Sequence, residues 1–334
     1  MDFGLTDEQD QLAEAERSWL DRHDPIARVR AALDSKPITV DTDASAHAAE
    51  SGLLSLLTPE MGGTHVDLAV VTEAHGHAAS SLPIADVALA TWLLDSAGIA
   101  PAEGTLVGLA RSADTTAEEG SLRLAPSSPV PMAADLAAIA VVGLVGAKEY
   151  VAVLTAPTLS PMTTLDLTRS WARLALDETV DEWQELPSGT VALVRDALAV
   201  HRAFDALGAA ERLLEMTVSY AGQREQFGVP IGSFQAVKHH CADMVLAVEA
   251  ARAALWAGAL ALDTATGAAR TRVASAAAAY AKSAAARVAG NALQVHGGIG
   301  FTWEHDLHLF LRRIKVDEAF DGTVAEHRAA LVTA

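Results

Sequence analysis

The chain has 334 residues, 51% of them hydrophobic, with a single cysteine and a formal net charge of −19. That length and hydrophobicity suit two or three folded units with a substantial core, and exclude a disordered chain. The negative balance opposes nucleic acid and anionic membrane surfaces as partners, though local basic spots can still bind a phosphate-bearing cofactor, and Cys241 alone excludes an intrachain disulfide or a cysteine-rich metal centre.

The opening Met1-Asp-Phe-Gly-Leu-Thr-Asp-Glu8 lacks the basic and apolar regions of a secretory signal. Apolar runs elsewhere are Ala-rich and broken by charges, so no transmembrane helix is expected and the chain reads as cytoplasmic. Residues 1–103 read as helical. Thr6-Asp-Glu-Gln9 is a capping box, and Leu12, Ala15, Trp19 and Leu20 follow on one face. Leu53 to Gly63 reads as a helix end broken by Pro59 and two glycines. Two more helices are expected near 65–80 and 84–98, parted by Pro83.

Residues 104–186 change character. Pro126, Pro129, Pro131, Pro157 and Pro161 punctuate short β-branched runs, Ile139-Ala-Val-Val142 and Tyr150-Val-Ala-Val-Leu154. These read as strands of a small β domain of roughly six strands. Residues 187–334 return to helical periodicity. Leu207, Ala210, Leu214, Val218 and Ala221 form one apolar stripe; Phe234, Val237, Cys241, Met244, Val248 and Leu255 a second; Val273, Ala277, Ala281, Ala284, Val288 and Leu293 a third. Each stripe is expected to face a core, and together they suit a bundle of long antiparallel helices. The expected fold class is α+β, mainly α, with the β domain between an N-terminal helical domain and a C-terminal four-helix bundle.

Three segments could carry chemistry. In Tyr220-Ala-Gly-Gln-Arg-Glu-Gln-Phe-Gly-Val-Pro-Ile-Gly-Ser-Phe-Gln235, Arg224 stands where a helix gives way to Gly228 and Pro230. It can complement the helix dipole, or offer its planar donor fork to a phosphate. In Gln294-Val-His-Gly-Gly298, two glycines end a helix; they can be a cap, or let a ligand approach the backbone. In Phe320-Asp-Gly-Thr323, Asp321 is either a turn residue or a carboxylate base.

In this order and spacing, the three segments resemble the C-terminal domain of the acyl-CoA dehydrogenases, flavoproteins that desaturate acyl-CoA thioesters. The resemblance implies the observed order of helical, β and bundle regions. It implies that Arg224 binds the pyrophosphate of FAD held mainly by a neighbouring subunit, with Phe227 and Gln235 touching the same cofactor. Gln294, Gly297 and Gly298 match the turn that receives the ADP portion, and Thr323 matches a threonine that contacts FAD. Asp321 aligns with the glutamate that removes the α-proton while the β-hydrogen leaves as hydride to the flavin. Aspartate is one methylene shorter, so Asp321 is a retuned base or the remnant of one. Some family members take the base from an earlier helix instead, at a place close to Leu198-Ala199, where this chain has no carboxylate.

The middle region departs further from the family. The phrases T-E-P-x-x-G-S-D and W-I-[TS], which flank the flavin ring, are missing; residues 104–111 read Gly-Thr-Leu-Val-Gly-Leu-Ala-Arg instead. His305 and His308 stand at a spacing a metal could use, but the resemblance explains that segment without one, and no metal is expected. The implied protein is a short acyl-CoA dehydrogenase-like subunit working with FAD on an acyl-CoA, similar to members of heteromeric bacterial steroid-CoA dehydrogenases. It is expected in a homo- or hetero-oligomer with a second acyl-CoA dehydrogenase subunit, passing electrons to an electron-transfer flavoprotein or similar acceptor. Two alternatives stay open: a silent subunit that completes a partner's FAD site, and a homo-oligomeric enzyme using Asp321.

Overall fold

A computed structural model describes residues 4–23, 25–33, 37–100, 104–112, 115–118, 121–124, 127–175 and 179–333. Pro126 and the first three residues lie outside that set, as do residues 101–103 at the first expected domain boundary. Five helices come first: α1 (Asp7–His23), α2 (Pro25–Leu33), α3 (Thr42–Glu50), α4 (His65–His77) and α5 (Ile84–Ser96). Thr6 and Gln9 form the capping box of α1, the Gln9 amide donating to the Thr6 hydroxyl at 3.3 Å and the Thr6 amide to the Gln9 carbonyl oxygen at 3.1 Å. Leu53 to Ser55 makes a 3₁₀ turn ahead of Pro59.

The β region contains ten strands among the described residues, against roughly six expected. They are β1 (Val107–Arg111), β2 (Thr116–Glu118), β3 (Ser121–Arg123), β4 (Val130–Pro131), β5 (Ala138–Val145), β6 (Lys148–Thr155), β7 (Leu159–Met162), β8 (Trp171–Leu174), β9 (Thr179–Val180) and β10 (Trp183–Leu186). The shortest span two or three residues, too few for alternation to show in a sequence. The main sheet has the order β1-β5-β6-β10, with β1 parallel to β5 and the other pairs antiparallel. Alternation sets its two faces. Ala138, Ala140 and Val142 join the core shared with the helices, while Ile139 and Val141 join a second core against Leu122, Val130 and Leu174.

The rest is helical: α6 (Thr190–Gln223), a hairpin of β11 (Glu225–Gln226) and β12 (Val229–Pro230), then α7 (Gln235–Thr264), α8 (Gly267–His296), α9 (Leu307–Ala319) and α10 (Val324–Thr333). Helix α4 is buried on nearly every side because it runs beside α6 inside the core. The two meet backbone to backbone. A Cβ on Gly208 would lie 2.0 Å from the Glu73 carbonyl oxygen, and one on Gly76 would lie 2.2 Å from that of Asp205, so only glycine fits at this crossing. Among the described residues one helix, α7, is long and apolar enough to cross a membrane by length and composition, and here it packs in the bundle against α8 and α6.

The expected stripes hold in the middle of the bundle and fail at its ends, where Val273 near the start of α8 is exposed. Leu207, Ala210, Met244, Val248, Leu255, Ala277 and Val288 are buried. Val218 is 50% exposed and Phe234 39%, and Phe227 and Val229 beside them are 93% and 40% exposed. The apolar pattern there continues past the core onto the surface.

Candidate active site and cofactor face

The residues singled out in the sequence fall into two separate places. Arg224 caps α6 while Arg202, which reaches Asp321, lies mid-helix. The intervening 22 positions span about 33 Å at about 1.5 Å per residue. Asp321 and Thr323 therefore belong to one place, and Arg224, Phe227, Gln235, Gln294, Gly297 and Gly298 to another.

The turn of Phe320, Asp321 and Gly322 joins α9 to α10. Lys282 of α8, fully buried, supports it by donating to the carbonyls of Phe320 at 2.6 Å and Gly322 at 2.7 Å. Burial lowers the Lys282 pKa to about 8, against the opposing pull of the Asp321 and Asp317 carboxylates. Asp321 has φ 53° and Gly322 φ 94°, a left-handed pair that aspartate and glycine can adopt. The His327 Nε2–H donates to the Asp321 carbonyl at 3.1 Å, and a Cβ on Gly322 would meet that ring nitrogen at 2.6 Å.

Both oxygens of the Asp321 carboxylate are engaged. Oδ1 accepts from Arg111 Nη2 of β1 at 3.1 Å, and Oδ2 accepts from Arg202 Nε of α6 at 3.1 Å. Arg202 also donates to both oxygens of Asp86 on α5, at 2.9 and 3.2 Å, and its guanidinium lies 5.1 Å from the centre of the Trp171 ring. Burial alone would raise the Asp321 pKa, but the charges of Arg202, Arg111 and Lys282 outweigh it and hold the group below its ordinary value. A general base needs a free lone pair on the substrate proton and a pKa near ambient pH. Asp321 has neither. At the alternative base position Leu198 and Ala199 are buried and apolar, and Asp196 nearby is taken by Arg270, Arg195 and Thr271. Arg111 and Arg195 stand where two clefts meet, one of about 610 Å³ bordered by Asp321 and His327, the other of about 550 Å³ bordered by Ser127, Ser128 and Arg173.

The motifs did not single out Arg111, Arg202, Asp86 or Lys282. Arg202 and Lys282 carried a signal nonetheless: each is a cation inside an Ala-rich stretch whose periodicity marks it as buried. Thr323 has a local duty. Its amide and hydroxyl both donate to Glu326 Oε2 at 2.8 Å, and the Glu326 amide donates back to the hydroxyl at 3.2 Å, which makes it the cap of α10. Thr323→Ala is expected to lower stability by about 0.5–2 kcal/mol, seen in chemical unfolding, and to leave flavin affinity unchanged.

The second place is a surface. Arg224 ends α6, its amide bonded to the Tyr220 carbonyl at 2.8 Å and its own carbonyl accepting from Ile231 at 2.7 Å. Its side chain is exposed and makes no hydrogen bond or ion pair among the described residues. The hairpin that follows turns on Phe227 and Gly228, with φ 54° and 80°. Positive φ at both positions marks a type I′ turn, in which glycine is at ease and phenylalanine is strained. The Phe227 ring is almost fully exposed and meets the Phe234 ring edge-on at 6.1 Å. Gln235 opens α7 and is exposed, as is Gln294 near the end of α8. Gly297 has φ 59°, and a Cβ on it or on Gly298 would meet nothing within 4 Å. The Tyr220 ring stacks on His296 at 4.4 Å, so the ends of α6 and α8 lie side by side.

The cofactor that the resemblance implies fits this surface. A free guanidinium, two exposed amide side chains and an open glycine turn can meet a pyrophosphate and its nucleoside from outside the subunit. Around Asp321 the carboxylate is bonded to Arg111 and Arg202, while Arg111 Nε has no hydrogen-bond partner among the described residues.

The comparisons with known proteins agree on the family. Residues 192–333 match the acyl-CoA dehydrogenase C-terminal domain. The acyl-CoA dehydrogenase IpdE2 of Mycobacterium tuberculosis is 35% identical over 311 residues, 92% of this chain and 91% of that protein. IpdE2 of Mycolicibacterium smegmatis is 32% identical over 324 residues, 92% of this chain and 93% of that one. Among solved structures, a chain of the ChsE4-ChsE5 complex from Mycobacterium tuberculosis shares the fold with a TM-score of 0.87, covering 100% of this chain and 98% of that chain at 22% identity.

Proposed function

This chain belongs to the acyl-CoA dehydrogenase family, and on that premise we propose that it is the subunit of a two-chain, FAD-dependent acyl-CoA dehydrogenase that completes its partner's cofactor site and supplies no base of its own. The observation that carries the reading is the state of the Asp321 carboxylate, with one oxygen bonded to Arg111 and the other to Arg202. Support for a partner comes from the exposed apolar residues Phe227, Phe234, Val229 and Val218, and from Arg224, whose exposed side chain has no partner among the described residues. The similar fold in a chain of the ChsE4-ChsE5 complex agrees with an assembly of two unlike chains.

In this reading Arg224 places its fork against the cofactor's pyrophosphate. Gln235 and Gln294 offer amides to its polar edges, and the bare backbone at Gly297 and Gly298 lets the ADP portion lie close. Phe227 and its apolar neighbours exclude water from the junction with the partner. FAD held there supplies the acceptor for the hydride that leaves the β-carbon of an acyl-CoA thioester. The α-proton goes to a carboxylate of the partner subunit, and electrons pass on to an electron-transfer flavoprotein or similar acceptor. In the corresponding place of this subunit Arg111 and Arg202 hydrogen-bond the Asp321 carboxylate, and with the charge of Lys282 they hold it ionised.

Substituting Asp321→Asn in the assembled complex tests this. Turnover of acyl-CoA is expected to stay within about threefold of the parent, under about 0.7 kcal/mol of barrier. A loss of more than about a thousandfold with FAD still bound would make Asp321 the base and overturn the reading.

A further inference from the structure

We propose that Arg30 of α2 is a positioning residue for the cofactor face, acting through a cluster of three rings, Tyr220, His296 and His305, that sets the shape of the Gly297–Gly298 turn. The inference rests on the function proposed above. Its physical ground is a continuous set of contacts running from the N-terminal helices to the glycine turn.

Arg30 grips the segment between the turn and α9 at two points. Its Nη2 donates to the Glu304 carbonyl at 3.0 Å, and its Nε meets the Asp306 carboxylate, 276 residues away in sequence. His305 lies between those two anchors, and its Nδ1 accepts from the Leu307 amide at 3.1 Å at the start of α9. Its ring is therefore held from both sides. It meets His296 edge-on at 4.7 Å and Tyr220 at 6.4 Å, while Tyr220 and His296 stack with their planes 19° apart.

His296 is 3% exposed and immediately precedes Gly297. Its Nδ1–H donates to the Ala292 carbonyl at 2.8 Å, and its Nε2 has no partner among the described residues. The ring is thus oriented by its own helix and by the two rings packed on it. Nothing lies within 4 Å of a Cβ built on Gly297 or Gly298, so the outer side of the turn is open and its support comes from the protein side alone. Loosening the Arg30 grip frees His305, and a loose His305 leaves the His296 end of α8 without its edge contact.

A purely structural role predicts something different. The side chains of Arg30 and Asp306 are 38% and 30% exposed, and an ion pair so placed contributes little to stability. The test is equilibrium titration of FAD into the flavin-free complex, with unfolding followed on the same samples. Arg30→Ala should weaken FAD about tenfold, the scale of one charge-assisted hydrogen bond, with the unfolding midpoint almost unmoved. Arg30→Lys keeps the charge opposite Asp306 and should recover most of that loss. Tyr220→Ala should weaken FAD similarly, and Tyr220→Phe, which keeps the stack, should not. Wild-type affinity in Arg30→Ala, beside weakened affinity in Arg224→Ala, would overturn the positioning role alone. Wild-type affinity in both would remove the proposed cofactor face, and the positioning role with it. A loss in Arg30→Ala that only tracks a fall in the unfolding midpoint would also overturn it.

Discussion

Arg313→Met should destabilise the chain by about 3–5 kcal/mol, the usual cost of removing one partner from a buried ion pair. Arg313 of α9 is fully buried. Its Nε and Nη2 donate to the two oxygens of Asp205 on α6, each at 2.7 Å. Its Nη1 donates to the Ser80 carbonyl at 3.0 Å, in the connection between α4 and α5, and to the Thr168 hydroxyl at 2.7 Å, just before β8. One side chain thus joins the N-terminal helices, the β region and the bundle. Methionine fills much of the same volume without donors. It would leave Arg169, at 3.2 Å, as the remaining ion-pair partner of Asp205 and would strand the Ser80 carbonyl. Urea unfolding followed by helical circular dichroism measures the loss. A change under about 1 kcal/mol would show that Arg169 suffices and that the three-way tie is redundant.

Arg224→Ala should lower the FAD affinity of the assembled complex tenfold or more, since a hydrogen-bonded contact to a charged group is worth about 1.5–3 kcal/mol. Folding of the isolated chain should hardly change, because the Arg224 side chain makes no hydrogen bond or ion pair among the described residues. The backbone contacts that cap α6 and close the hairpin, from Arg224 to Tyr220 and from Ile231 to Arg224, survive in alanine. Arg224→Lys keeps a charge but loses the planar fork, and should fall between the two. Unchanged affinity in Arg224→Ala would mean that the guanidinium serves only the helix end.

The contrast between those two arginines shows what a sequence can and cannot carry. Helices α1, α4 and α5 were legible because their caps and breakers are local: Thr6 with Gln9, and Pro83 between α4 and α5. The short strands β2, β3, β4 and β9 were not, because they exist only through pairing with distant partners. The motif phrases pointed to Arg224 and Asp321 alike. What separates these two is long-range. Arg111 and Arg202 reach Asp321 from 210 and 119 residues away, so its engagement could not be read locally. The distance between Thr323 and Arg224 emerged only once α6 was seen as one helix from Thr190 to Gln223. The apolar stripe through Val218 and Phe234 looked like core because periodicity records which face is apolar and not what covers it.

The central claim is that this subunit completes a cofactor site without holding a complete one, and flavin stoichiometry tests it most directly. The chain purified alone, and the same chain co-purified with its partner subunit, are compared by flavin absorbance per polypeptide after gel filtration. A colourless protein is expected alone, and one FAD for each pair of unlike chains in the complex. One FAD per chain in the protein purified alone would contradict it.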